Sequence, residues 1–262
     1  MKIACIGTGA MGSAIMRSVC KKYDVKDITV TDAFASKAQE FANEVGCNFN
    51  ASNIQTIKDA KYVFIAVKPA FLESLFKEIG SSISPDTVVI SMAAGVKIEK
   101  LESYAKARFI RIMPNVAAQI SEAMIALSCN DNITKDELNE AIQILSATGR
   151  VEQVPEKLMD CVTGVSGSGP AFVFMFIEAL ADAAVRCGMP RAQAYTYAAQ
   201  TVKGSADLVL ATGRHPGELK DSVTSPAGTT IEGVAALEEN GFRSAVIKAV
   251  TAATQKSIEL GK

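Results

Sequence analysis

The sequence predicts an α/β fold, a doubly wound parallel sheet, followed by an all-α C-terminal domain. Three observations point there. Over residues 1–156 apolar runs alternate with amphipathic stretches. A glycine-rich turn, Gly7-Thr8-Gly9-Ala10-Met11-Gly12, follows the first apolar run directly. From Leu158 to Leu260 the chain is alanine-rich and helix-periodic, with no convincing strand. Strand–helix alternation at this rhythm builds βαβ units, which place helices on both faces of a parallel sheet. The 262 residues suit two domains of roughly 100–200 residues each, and the change of character divides them into 1–156 and 157–262.

Six runs read as strands in order: Ile3–Ile6, Ile28–Thr31, Tyr62–Val67, Thr87–Met92, Phe109–Met113 and Ala123–Leu127. Their unbroken apolar character is that of strands buried on both faces. Between them, Ser36 with Gln39 and Thr134 with Glu137 have capping-box spacing, and Gly46 and Gly149 sit where helices stop. In the second half Phe174, Ile177, Glu178, Ala181 and Val185 fall at helical spacing. Gly188-Met189-Pro190 ends one helix and starts another, and Gly213–Gly217 and Ser225–Gly228 mark two further breaks. Helices this apolar leave little polar face for water, which predicts a subunit interface.

Composition excludes several functions. With 48% hydrophobic residues, 21% charged residues and a net charge of −1, the chain is not disordered. The same balance lacks the electrostatic footprint of a nucleic-acid or anionic-membrane binder. The six cysteines are never closer than fifteen positions and His215 is the only histidine. Neither a zinc cluster nor a His-dependent triad follows from that set, so no metal is expected, and the thiols suit a reducing compartment. The N-terminus opens directly as a strand without the sections of a signal peptide. The longest apolar run, Ala171 to Ile177, is too short to span a bilayer. The expectation is a cytoplasmic protein that handles a small molecule, with no nucleic acid and no membrane among its partners.

Gly7, Thr8, Gly9, Ala10, Met11 and Gly12 form a Rossmann-like dinucleotide fingerprint. Gly7 makes the tight turn, Gly9 lets a pyrophosphate approach the backbone, and Gly12 permits close helix–strand packing. The helix N-terminus then offers free N–H groups and a positive dipole end. Three glycines in six residues also occur in ordinary turns, but strand, loop, helix and second strand stand here in the required order. Asp32 ends the second strand, twenty residues after Gly12. A carboxylate there accepts from a ribose 2′-OH and repels a 2′-phosphate. No arginine follows in Ala33–Ser36, although Lys37 offers a cation. The cofactor is therefore read as NAD(P)H with NADH favoured, against the competing reading of Asp32 as a turn residue capping the next helix.

Ala66-Val67-Lys68-Pro69 stands at a strand's C-terminal end, where ligands bind in open α/β sheets. Pro69 is equally a helix start and Lys68 equally a surface cation. Ser91–Val96 and Met113-Pro114-Asn115 close the next two strands with small residues that suit a flat nicotinamide ring. A second constellation, Val223 to Thr230, is a hydroxyl-rich stretch before the helix-periodic Ile231–Leu237, with Thr229 and Glu232 at capping-box spacing. Such a helix start receives a carboxylate or phosphate, or is simply capped. Gly164-Val165-Ser166-Gly167-Ser168-Gly169-Pro170 is either a hinge or a place where backbone approaches a ligand.

These segments resemble the pyrroline-5-carboxylate reductase family over nearly the whole chain. The most specific of them runs from Leu219-Lys220-Asp221 through Thr230, joined by Ala93-Ala94-Gly95-Val96 and Ser166–Ala171. The resemblance implies NAD(P)H-dependent reduction of 1-pyrroline-5-carboxylate to L-proline, the last step of proline synthesis. It also implies a Rossmann domain plus a helical substrate-binding domain that builds a homodimer, often assembled further into decamers. By the same resemblance Ser225, Pro226, Ala227, Gly228, Thr229 and Thr230 hold the substrate carboxylate, and Thr230 polarises and orients the imine nitrogen. Lys68, in the catalytic set with Thr230, lies with Ala66, Val67, Pro69 and Asn115 on the nicotinamide side, and Asn53 meets the adenosine half. Two departures stand out: Val116-Ala117 replaces the usual threonine-proline, and Ala227 replaces a glycine and restricts the backbone.

Other readings share parts of this pattern. A β-hydroxyacid dehydrogenase needs a lysine acid/base in the interdomain helix, and no lysine occurs between Lys157 and Lys203. A reductase of a six-membered cyclic imine differs by one methylene, worth only about 1–3 kcal/mol in a pocket. A nucleotide-binding protein without turnover would keep the same fold.

Overall fold

The structure, a computed structural model, describes residues 1–261. They divide into two compact units: Met1–Ser168 with the chain from Ala252 onward, and Gly169–Thr251.

The first unit is built on one sheet. Its strands are β1 (Ile3–Ile6), β2 (Ile28–Thr31), β3 (Asn48–Phe49), β4 (Tyr62–Ile65), β5 (Val88–Ser91), β6 (Arg108–Met113), β7 (Ala123–Cys129) and β8 (Gly149–Gln153). Its helices are α1 (Ala10–Lys22), α2 (Ala35–Val45), α3 (Asn53–Ile57), α4 (Leu72–Ile79), α5 (Ile98–Tyr104), α6 (Lys135–Leu145) and α7 (Met159–Val162). Strand order is β3-β2-β1-β4-β5-β6-β7-β8. Successive side chains of a strand point to opposite faces, so one unbroken apolar run supplies two cores. Ile3, Cys5, Tyr62, Phe64, Ile110 and Ile112 pack on one face with α1, α2 and α6. Ala4, Ile6, Val63, Ile65 and Phe109 pack on the other with α4 and α5.

The doubly wound sheet is as predicted, with one departure from the all-parallel expectation. β7 runs antiparallel to β6, because the short 114–122 connection holds only a 3₁₀ segment, Val116–Ile120. A parallel return needs a crossover of roughly a dozen residues or more. β3 and β8 were not expected from the sequence. β8 is a charged edge with Arg150 bonded to Glu152, and such strands lack the apolar run that marks a central one.

Gly149, expected to stop a helix, instead opens β8 at φ +154, where a Cβ would lie 2.1 Å from Ala123 O. α6 has already ended at Leu145. Gly46 does close α2, at φ +81. Thr134 and Glu137 form the expected capping box. Ser36 does not: α2 begins at Ala35 with Phe34 in the N-cap position and no side-chain cap. Tyr62–Val67 was expected as one strand, but β4 stops at Ile65 and frees Ala66, Val67 and Lys68 for a turn.

The second unit is all helical: α8 (Gly169–Arg186), α9 (Arg191–Thr212), α10 (Pro216–Ser222), α11 (Thr229–Glu239) and α12 (Phe242–Leu260), whose last turns belong to the first unit. α8 and α9 meet through small residues, with Ala181, Ala194 and Ala198 buried between Ile177, Leu180, Val185 and Met189. Other apolar side chains face outward, among them Phe174, Met175, Leu210 and Ile247. The Gly164–Pro170 segment is not a loop. Thr163–Gly167 forms a π-helical turn, Ser168 N donating to Thr163 O at 2.8 Å. Pro170 is the second residue of α8, where its missing N–H removes no bond within that helix. Helix therefore runs through Glu156–Arg186, 31 residues, long and apolar enough to cross a bilayer by length and composition. This corrects the sequence estimate, which stopped at Ala171–Ile177.

Candidate active site

The strand order reverses at β1 and β4: the chain leaves β1 toward β2 and β3, then returns to place β4 on the other side. Ligands bind at the carboxyl edge beside such a switch point. There Gly7 N donates to Thr31 O at 2.8 Å, Ala66 N to Ile6 O at 2.8 Å and Met92 N to Ile65 O at 3.2 Å. Four neighbouring strand ends, of β2, β1, β4 and β5, are thereby stitched into one row.

Sterics give the roles of Gly7 and Gly12 directly. A Cβ on Gly7, at φ +105, would lie 2.7 Å from Ala66 O, and one on Gly12 would lie 2.1 Å from Gly7 O. A Cβ on Gly9 would meet nothing within 4 Å, so the turn is packed at its ends and open in its middle. α1 starts at Ala10 with Gly9 as N-cap, no side-chain cap and no acidic residue in its first turn. Its first N–H groups and its dipole end are left for an anion.

Asp32 orders two segments through its own oxygens. Its Oδ2 accepts from Thr8 N at 2.7 Å and Thr8 Oγ1 at 3.2 Å, and its Oδ1 accepts from Phe34 N at 3.0 Å. The carboxylate grips the glycine turn and also orders the start of α2. Lys37 Nζ sits 4.9 Å from the Phe34 ring centroid, an exposed cation on an aromatic face. Ser13, not singled out from sequence, donates to Thr8 O at 2.7 Å; its signal is a hydroxyl one residue past the fingerprint. Asn53 is the first residue of α3 and donates to Glu78 Oε2 at 2.9 Å.

Lys68 is exposed and forms the N-cap of the Pro69–Phe71 3₁₀ turn. No carboxylate lies within ion-pair distance of it among the described residues. Asn115 follows β6, and its Oδ1 is buried without a hydrogen-bond partner. A buried orphan acceptor at a ligand edge is a place for an incoming donor. An uncapped helix, an open Gly9 and this acceptor together fit a nicotinamide dinucleotide.

In the second unit the 224–230 turn is exposed, apart from half-buried Thr224 and Gly228. Gly228 N donates to Ser225 O at 3.1 Å, and a Cβ on Gly228 would lie 2.3 Å from Ser225 Oγ. Ala227 adopts φ +55, the left-handed region that disfavours any side chain. The predicted Thr229–Glu232 capping box does not form. Gly228 is the N-cap of α11 and no side chain caps it. A glycine offers no oxygen, so the first N–H groups and the Thr229 and Thr230 hydroxyls keep their capacity.

Fold and site define a dinucleotide-dependent oxidoreductase with a helical second unit. A family profile described as pyrroline-5-carboxylate reductase dimerisation matches residues 156–260, and one described as NADP oxidoreductase, coenzyme F420-dependent, matches residues 2–95. The pyrroline-5-carboxylate reductase of Methanosarcina acetivorans is 45% identical, covering 100% of this chain and 98% of that protein. The solved pyrroline-5-carboxylate reductase of Coxiella burnetii superposes with a TM-score of 0.93 at 33% identity, over 100% of this chain and 98% of its own. That of Plasmodium falciparum, with NADP bound, gives 0.90 at 30%, over 100% and 98%. The chain belongs to the pyrroline-5-carboxylate reductase family.

Proposed function

We propose that this chain reduces 1-pyrroline-5-carboxylate to L-proline with a reduced nicotinamide dinucleotide. The observation that carries the reading is 45% identity along the full length of a named reductase. The 7–12 turn and the α1 N-terminus hold the pyrophosphate, Asp32 and Asn53 lie on the adenosine side, and Ala66, Val67, Lys68, Pro69 and Asn115 border the nicotinamide. The bound cofactor supplies hydride to the imine carbon. The chain's own residues supply placement: Ser225 and the backbone N–H groups of the 225–230 turn bind the substrate carboxylate, and the Thr230 hydroxyl hydrogen-bonds the ring nitrogen. Lys68 adds a positive charge on the nicotinamide side. A cyclic imine is already electrophilic when its nitrogen is protonated or hydrogen-bonded, so orientation accounts for most of the acceleration. No histidine is needed for that.

NADH is the favoured cofactor, because the Asp32 carboxylate at the end of β2 opposes a 2′-phosphate. The outward apolar side chains of α8, α9 and α12 pair with a second copy into a homodimer, which is capable of assembling further into a decamer. In this reading residues 1–156 bind cofactor, residues 157–262 bind substrate and dimerise, and the enzyme works in the cytoplasm. The test is spectrophotometric: consumption of NADH or NADPH on adding 1-pyrroline-5-carboxylate. Consumption with NADH ahead supports the whole reading, none by folded protein removes it, and a strong NADPH preference overturns the role of Asp32.

A further inference from the structure

A buried cation stands in the middle of the sheet. Arg111 of β6 pairs in register with Ser91 of β5 and Ser128 of β7, and its side chain is 2% exposed. Its Nη1 donates to Glu156 Oε1 at 3.2 Å, while its Nη2 is buried without a partner. The same Glu156 Oε1 accepts from Ile98 N, the first residue of α5, at 2.6 Å. One carboxylate oxygen therefore joins β6, just before Met113-Pro114-Asn115, to the turn that follows β5 through Ala93, Ala94 and Gly95.

Stability does not explain this arrangement. A buried guanidinium satisfied on one side only is costly to desolvate, and well-packed apolar replacements of such charges together with their partners are often neutral or stabilising. What the pair does supply is a fixed spacing between two strand ends, because both hang from a single acceptor. We infer that Arg111, acting through Glu156, is a positioning residue for the nicotinamide end of the cleft, setting the 93–97 turn against Asn115. The inference rests on the proposed assignment of these two strand ends to the nicotinamide. Arg111 touches no ligand itself; misplacement of a reacting group by about 1 Å is enough to cost large factors in rate.

The experiment compares Arg111→Met, Glu156→Ala and Glu156→Gln, using NADH and ADP-ribose as binding probes. ADP-ribose carries the adenosine and both phosphates but no nicotinamide. Arg111→Met leaves only the partly exposed Glu156 carboxylate unpaired, so it is expected to fold and to bind ADP-ribose within about twofold. Its NADH affinity should fall about fivefold and its kcat about tenfold, with KM for 1-pyrroline-5-carboxylate within about twofold. Glu156→Ala leaves the buried Arg111 cation unpaired and should melt below wild type, yet show the same selective loss of NADH affinity and kcat with ADP-ribose binding kept. Glu156→Gln keeps the acceptor oxygen and should recover kcat and NADH affinity to within about threefold of wild type. Wild-type NADH binding and turnover in the Met and Ala variants overturns the inference, as does equal loss of ADP-ribose and NADH binding. Wild-type protein that binds NADH but consumes none with the imine overturns the reductase reading alone, and the NADH to ADP-ribose ratio still decides the inference.

Discussion

The 7–12 turn is held from several sides by its own unit, whereas the 224–230 turn is held only by neighbours in sequence. In the first, Thr31, Asp32, Ser13 and Ala66 all bond to or pack against the turn, across up to sixty residues of chain. In the second, Thr224 N donates to Asp221 O, Thr224 Oγ1 to Lys220 O and Gly228 N to Ser225 O, all within four residues. Among the described residues, Ser225, Thr229 and Thr230 engage their hydroxyls in no hydrogen bond. The contrast separates two ways of preparing a ligand site. The proposed cofactor turn has its bonds made across the sheet without a ligand. The proposed substrate turn keeps open donors and draws its order from a left-handed Ala227 and a glycine cap.

Four substitutions break or sharpen that contrast. Gly12→Ala drives a methyl into Gly7 O, which cannot move without unstitching the sheet edge; NADH affinity should fall about 100-fold, read by fluorescence titration. Near-normal binding would show that the first turn yields as readily as the second. Thr230→Ala should lower kcat between about 10- and 100-fold while NADH affinity stays within about twofold. Unchanged turnover in stopped-flow assays removes Thr230 from the chemistry. Asp32→Asn deletes the charge and, with a single acceptor oxygen, keeps the Thr8 N bond or the Phe34 N bond but not both; the NADPH to NADH ratio of kcat/KM should rise about tenfold. An unmoved ratio places cofactor choice elsewhere. Ala227→Gly relieves a left-handed alanine but adds unfolded-state entropy, for a net gain of about 0.5 kcal/mol in chemical denaturation. A loss instead would mean that the 227 conformation carries no strain.

Much of the fold was legible because its signals are local. Ile3–Ile6 and Ile28–Thr31 emerge with the predicted ends, since an apolar run between a polar start and a glycine or aspartate has few alternatives. Gly46 closes α2 for a reason contained in its own φ. Thr134 and Glu137 satisfy each other three residues apart. Ser36–Gln39 and Thr229–Glu232 carry the same spacing and form no box, because an earlier residue, Phe34 two positions before Ser36 or Gly228 one before Thr229, enters the cap position instead. Spacing names a cap only when the chain's path into the helix agrees.

By itself the sequence determined an α/β sheet with a glycine turn at its switch point, a helical second half, and a hydroxyl-bearing helix start. Those follow from sterics and periodicity acting over a few residues. Only the tertiary structure decided that β7 reverses, that Gly149 is needed for contact with Ala123 rather than to end a helix, and that one carboxylate of Asp32 serves both turn and helix. It alone revealed Arg111 and Glu156 sharing an acceptor with Ile98. Gly149 with Ala123, Asp32 with Thr8 and Glu156 with Arg111 and Ile98 are partners more than twenty residues apart, and the energy of such a pairing exists only once the sheet has brought the two together.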